Sequence, residues 1–217
     1  MTKLTSIVEQ ILREEESKQQ IAQMDAAMNN ALKALATEFS ANKDEMEQEV
    51  EKTDLEVNEA LGTVGVIGIL LALPKATELI VKGIGKLVSV WKKLVKPGEA
   101  KGNEEEFAKN IIEFTHKWHK LYIKGIKGML KLIGVFKKAG INDDAAQTKA
   151  AEAIYYTIIA GLAVYSGIGA ASAFKGAITA APNGGSFSLA ALEAAMAGIK
   201  SSEVAEFIGK MGLKAAA

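Results

Sequence analysis

The sequence contains no cysteine, which excludes both a disulfide framework and a thiolate metal site and leaves the redox compartment unmarked. Proline is nearly as scarce, at three in 217 residues, and runs of period-two alternation are lacking. Together with a high content of Ala, Lys, Glu and Leu, these absences predict helix almost throughout. Arginine is represented by Arg13 alone among 26 basic residues. Arginine's planar fork suits bidentate reading of phosphate or guanine, whereas lysine is a hydrated point charge, so sequence-specific nucleic-acid recognition is disfavoured. Catalytic signatures are missing too: there is no Gly-x-Ser-x-Gly, His-Glu-x-x-His or kinase-type set. The Gly83-Ile-Gly-Lys stretch is not a phosphate loop, because Leu87 stands where serine or threonine is required. A secretory signal is not expected at an N-terminus carrying Glu9 and Glu14 to Glu16. The reading is therefore a non-enzymatic protein with no cofactor.

What the sequence does have is a polarised charge distribution beneath a net charge of zero. Residues 1–60 carry 6 basic and 14 acidic groups, a net of −8, while residues 61–140 carry 15 and 6, a net of +9. A lysine-rich middle block of this kind suits diffuse attraction to an anionic lipid surface or to an acidic protein face.

Apolar periodicity divides the chain into an acidic amphipathic arm, 1–59, and a helical bundle, 60–217. In the arm Ile21, Met24, Met28, Leu32, Leu35 and Phe39 recur at three- and four-residue steps, and the stripe thins among Glu45, Glu47, Glu49 and Glu51. This part reads as coiled-coil-like and solvated, or as a cover for the chain's own lysines. Two basic amphipathic helices are predicted in the bundle, 75–96 and 104–139. The first sets Ile80, Ile84, Leu87, Trp91 and Leu94 against Lys75, Lys82, Lys86 and Lys93. In the second, Ile111, Phe114, Trp118, Leu121, Tyr122, Met129, Leu132 and Phe136 oppose Lys109, Lys117, Lys120, Lys124, Lys127, Lys131 and Lys138. The aromatics lie on the apolar stripes rather than among the lysines, which fits an interfacial helix better than a base-stacking platform. The surface expected to meet membrane or partner is thus Lys82, Lys86, Trp91, Lys93, Lys117, Trp118, Lys120, Tyr122, Lys124, Lys127 and Lys131.

Two uncharged stretches complete the pattern. Residues 60–74 hold Gly62, Gly65 and Gly68 at every third position and end at Pro74; residues 153–174 hold Gly161, Gly167 and Gly169. These glycines are the expected helix-packing positions, and the two stretches are expected to pack against each other. As one helix, 153–174 would measure about 33 Å against a bilayer core of about 30 Å, long enough to span, while 60–74 is too short to span alone. Asn142-Asp143-Asp144, Ser188 and Ser202 mark further helix starts, and Pro182-Asn183-Gly184-Gly185 a turn. Glu113-x-x-His116-x-x-His119 places three potential ligands on adjacent helical positions. No second Glu-x-x-His exists, and lysines crowd the spot, so no metal site is expected.

Three local resemblances bear on function. Gly83-Ile-Gly-Lys-Leu-Val-Ser-Val-Trp-Lys-Lys-Leu resembles membrane-surface peptides of the magainin and melittin type. The plan of apolar helices within basic amphipathic ones resembles that of colicin-type pore formers, with the departure that here the apolar stretches are separated. Leu4-Thr-Ser-Ile-Val-Glu-Gln-Ile-Leu-Arg-Glu-Glu resembles the leaders of internal head proteins of T-even-type tailed phages, cut after Leu or Ile, any residue, then Glu. That resemblance implies a virion-interior protein, and host cytoplasm is the other non-membrane setting. The expectation carried forward is an all-α, membrane-associated protein with a structural or permeabilising role, self-associating through its helices. A helical structural or scaffolding protein is the alternative.

Overall fold

A computed structural model describes residues 26, 30, 33, 34, 36–52, 62–116 and 119–213. Every regular element among them is helical. In chain order these are α1 (Lys43–Lys52), α2 (Gly62–Leu71), α3 (Pro74–Leu94), α4 (Glu104–His116), α5 (His119–Leu132), α6 (Val135–Lys138), α7 (Asp144–Ser166), α8 (Ser172–Ala180), a 3-10 turn (Gly184–Ser186), α9 (Leu189–Gly198) and α10 (Ser202–Lys210).

The architecture is set by α7. Asp143 caps its N-terminus, the carboxylate accepting from Ala146 N at 2.8 Å, and its residues from Ile154 to Ala163 are buried on every side. A helix apolar all round is stable only when surrounded, and α2, α4, α5, α9 and α10 all pack on α7. Each fully covered Ile or Leu, such as Ile158, Ile159 and Leu162, contributes about 1.5–3 kcal/mol of burial. The two uncharged stretches do meet, since α2 lies against α7.

The 153–174 stretch is nevertheless not one helix, which corrects the expected length. Gly167 adopts a left-handed φ of 96°, and Ile168 N reaches back to Ala163 O at 2.8 Å, a Schellman-type stop. The chain resumes as α8 only at Ser172. Among the described residues no helix is long and apolar enough to cross a membrane. The basic helix expected over 104–139 is likewise divided. Gly134, with φ 76°, separates α5 from α6, while residues 117 and 118, between α4 and α5, lie outside the described residues. The expected stop at Gly140 is present, with φ 69° and Ile141 N bonded to Phe136 O at 2.9 Å.

Pro74 sits in the first turn of α3, where its missing N–H removes nothing. The Thr77 hydroxyl then bonds the Leu70 carbonyl across the α2–α3 corner. Ser188 and Ser201 cap α9 and α10, accepting from Ala191 N at 3.2 Å and Val204 N at 3.4 Å. The cap of the last helix is thus one residue earlier than the sequence reading placed it. In the acidic arm, Phe39, Met46 and Val50 are buried in the same apolar cluster as the bundle, so this part is not a freely solvated strut. α1 packs beside α6, where Lys138 Nζ donates to the Glu51 carbonyl at 3.1 Å.

Candidate functional site

The lysines expected to form one surface fall into three kinds. Lys86 and Lys93 on α3, and Lys120, Lys124 and Lys131 on α5, are exposed and form no ion pair among the described residues. Lys82 is exposed but paired with Glu78 at 2.7 Å; that hydrogen bond holds the Glu78 carboxyl below, and the Lys82 ammonium above, the usual range. Lys127 departs furthest from expectation. Its ammonium lies 2.7 Å from Asp144 Oδ1, 2.9 Å from Thr148 Oγ1 and 3.2 Å from Asp144 O, so it ties α5 to the start of α7. The same contact lowers the Asp144 pKa, first through the hydrogen bond and then through charge. Lys117 and Trp118 lie outside the described residues.

Two aromatic members of the expected surface are core residues. Trp91 is 3% exposed, donates Nε1–H to Ser166 Oγ at 3.0 Å and packs on Phe114 with ring centroids 5.1 Å apart. Tyr122 is also 3% exposed, and burial pushes its phenol pKa up. An indole N–H and a phenol can both be satisfied internally, which periodicity alone cannot distinguish from placement at a lipid headgroup.

Apolar surface appears instead where the stripe reading placed core. Leu121 and Leu132 are 42% and 38% exposed. They flank an open apolar groove of about 420 Å³ between α3, α5 and the helical turn at 36–40. Ile80 and Ile84 line it from α3, Met129 from α5 and Phe39 from the arm; no Asp or Glu is among its described lining residues. Gly125 and Gly128 keep its α5 wall low, and a Cβ added at either meets none of the described residues within 4 Å. On α5, Leu121, Gly125, Gly128 and Leu132 thus form an exposed apolar seam beside the lysines at 120, 124 and 131. Its signal was present in the sequence as four-, three- and four-residue steps, but two of its members are glycines, which carry no hydrophobic weight.

The expected packing glycines also separate. Gly161 is a close-packing position, where a Cβ would come within 3.1 Å of Leu213 Cδ1. Gly167 serves as the left-handed cap of α7 and lies against the Gly98 backbone. Among the described residues nothing lies within 4 Å of a Cβ added at Gly68 or Gly169, so neither marks a close approach between described helices. Gly62 and Gly65 lie in the first turns of α2, and their surroundings fall outside what is described.

The Glu113, His116 and His119 side chains do not converge. Glu113 pairs with Lys109 at 3.7 Å, and His116 Nδ1 lies 2.9 Å from Ser186 Oγ. Among the described residues no group of three His, Asp or Glu side chains is placed to hold a metal ion. His119 is instead buried in an aromatic cluster, 4.8 Å from the Tyr155 ring and 5.2 Å from Phe187. Its Nε2 lies 3.5 Å from the Tyr156 hydroxyl, and its Nδ1 is buried without a hydrogen-bond partner among the described residues. Desolvation, followed by the charges of His116 and Lys120, holds its pKa below the ordinary value.

No family model, curated protein or solved structure matches this chain. Function is therefore argued from the exposed basic and apolar surface itself. The phage-leader-like stretch at residues 4–15 lies outside the described residues.

Proposed function

We propose that the protein is a non-enzymatic helical protein that binds anionic lipid surfaces peripherally through α5. The observation that carries this reading is the pairing on one helix of lysines 120, 124 and 131, which form no ion pair among the described residues, with the partly exposed seam Leu121, Gly125, Gly128 and Leu132. An interfacial helix has this pattern: apolar side chains enter the headgroup boundary while lysine stems keep their charges at the phosphates. Each lysine near such a surface contributes about 1 kcal/mol, so these three supply on the order of 100-fold in partitioning. A permeabilising role needs more than this, namely release of α7 from the five helices around it.

The test is co-sedimentation with phosphatidylcholine vesicles with and without phosphatidylglycerol. Binding should require the anionic lipid, weaken as salt shortens the Debye length, and fall about fivefold for each Lys→Gln change at 120, 124 or 131. The enclosure of α7 from Ile154 to Ala163 favours a second reading, a helical structural or scaffolding protein with no lipid role. Absence of binding to either vesicle would select that one.

A further inference from the structure

The α3–α5 groove is open, apolar and already has one wall supplied by the N-terminal arm: Ala36, Phe39 and Ser40 line it, with Phe39 buried to 1% exposure. We propose that it is the docking site of the chain's own apolar stripe Met28, Leu32 and Leu35, which brings the acidic N-terminal segment over the lysine face. That this docking regulates lipid binding rests on the function proposed above; the docking itself does not.

Three observations support the assignment. The first is facial. Asn30, Lys33, Ala34 and Thr37 are helical and exposed, and they share one side of a helix. Residues 4, 7 and 11 positions before the buried Phe39 would share its side of a helix continued back from it, and they are Leu35, Leu32 and Met28. The second is shape. The seam on α5 repeats at steps of 4, 3 and 4 from Leu121 to Leu132, and no described residue lies within 4 Å of a Cβ added at Gly125 or Gly128. The stripe from Met28 to Phe39 repeats at 4, 3 and 4 as well, so large side chains meet low positions in the manner of knobs and holes. The third is charge. Residues 1–60 have a net charge of −8 and residues 61–140 one of +9, and Lys82, whose main partner is Glu78, also feels Glu38. Direction follows from the far end: Glu51 meets Lys138 while Phe39 meets the groove, so the arm runs in the same sense as α5. The same direction continued back from Phe39 would carry the stripe towards the Leu121 end.

The natural absence of cysteine makes the test clean in the full-length chain. Met28→Cys, Leu32→Cys or Leu35→Cys is combined with Leu121→Cys or Gly125→Cys, and Lys33→Cys with Gly125→Cys serves as the control on the opposite face. A disulfide needs Cα atoms about 4.4–6.8 Å apart, so mild oxidation reads the docking directly. At least one stripe pair should close within a single chain ten times faster than the control pair. Closure no faster than the control for every pair overturns the proposal, and so does a disulfide found only between chains, which would give the groove to a second copy. Phosphatidylglycerol vesicles added before oxidation should slow closure several-fold. Fast closure that vesicles leave unchanged, in a chain that does not bind them, keeps the docking and removes the lipid reading.

Discussion

The placement of Trp91 can be tested to a stated magnitude, because its indole N–H has one named acceptor. Ser166 Oγ accepts from Trp91 Nε1 at 3.0 Å and itself donates to Leu162 O at 2.8 Å. Ser166→Ala leaves the indole N–H buried with that partner gone, a cost of about 1–3 kcal/mol. Trp91→Phe keeps a ring near Phe114 but loses the hydrogen bond and part of the buried ring, about 2–3 kcal/mol. Once the indole is gone, the serine hydroxyl has less to contribute, so the double variant should fall short of the sum by about 1 kcal/mol. In a protein of this size 1 kcal/mol moves the melting temperature by about 2–4 °C, and urea titration gives the free energies independently. A Trp118→Phe background isolates Trp91 fluorescence, which should be blue-shifted and poorly quenched by acrylamide with or without vesicles. Free quenching in solution together with strictly additive costs would refute the core assignment and return Trp91 to the surface.

Other consequences follow from single contacts. Burial lowers the His119 pKa, so between the ordinary value near 6.5 and the folded value the unfolded chain holds more protons. Stability should be full above about pH 6.5 and decline on acidification; His119→Phe should flatten that decline in urea titrations, and an unchanged pH slope would exclude His119 as its source. A Cβ at Gly184 would collide with the Ile178 carbonyl, whereas one at Gly185 meets nothing within 4 Å. Gly184→Ala should therefore cost about 1–3 kcal/mol by overpacking, and Gly185→Ala far less; equal melting temperatures would refute the tight turn. Ser188→Ala removes the α9 cap, for about 1 kcal/mol, while leaving the Ser188 N–H that bonds the Tyr156 hydroxyl. A larger loss than about 2 kcal/mol would mean that the serine does more than cap.

Helix content, the short-range caps and the pairing of the two uncharged stretches were legible in the sequence because each is written locally. Asp143 and Ser188 announce helix starts, and α7 carries enough Ile and Leu to demand burial. Length was not legible. Gly167 and Gly134 end helices through left-handed φ, and the same residue type can equally sit inside a helix, as Gly161 does. The surface was legible as charge but not as topography. Trp91 and Tyr122 share the apolar stripes with Leu121 and Leu132, and only the packing of α3 and α5 decided that the aromatics go inside and the leucines stay partly out. Lys127 shows the same limit: its charge was plain, but its attachment to Asp144 depends on where α7 begins.

The central claim is that α5 presents a lipid-binding face while α7 remains enclosed, and one titration reaches both halves. The intact protein is added to vesicles with and without phosphatidylglycerol, with binding read by co-sedimentation and Trp91 followed by acrylamide quenching in the Trp118→Phe background. The account predicts salt-sensitive binding to the anionic vesicles alone, weakened about fivefold by Lys124→Gln, with Trp91 still protected. Equal binding to neutral vesicles, or none to either, would contradict it.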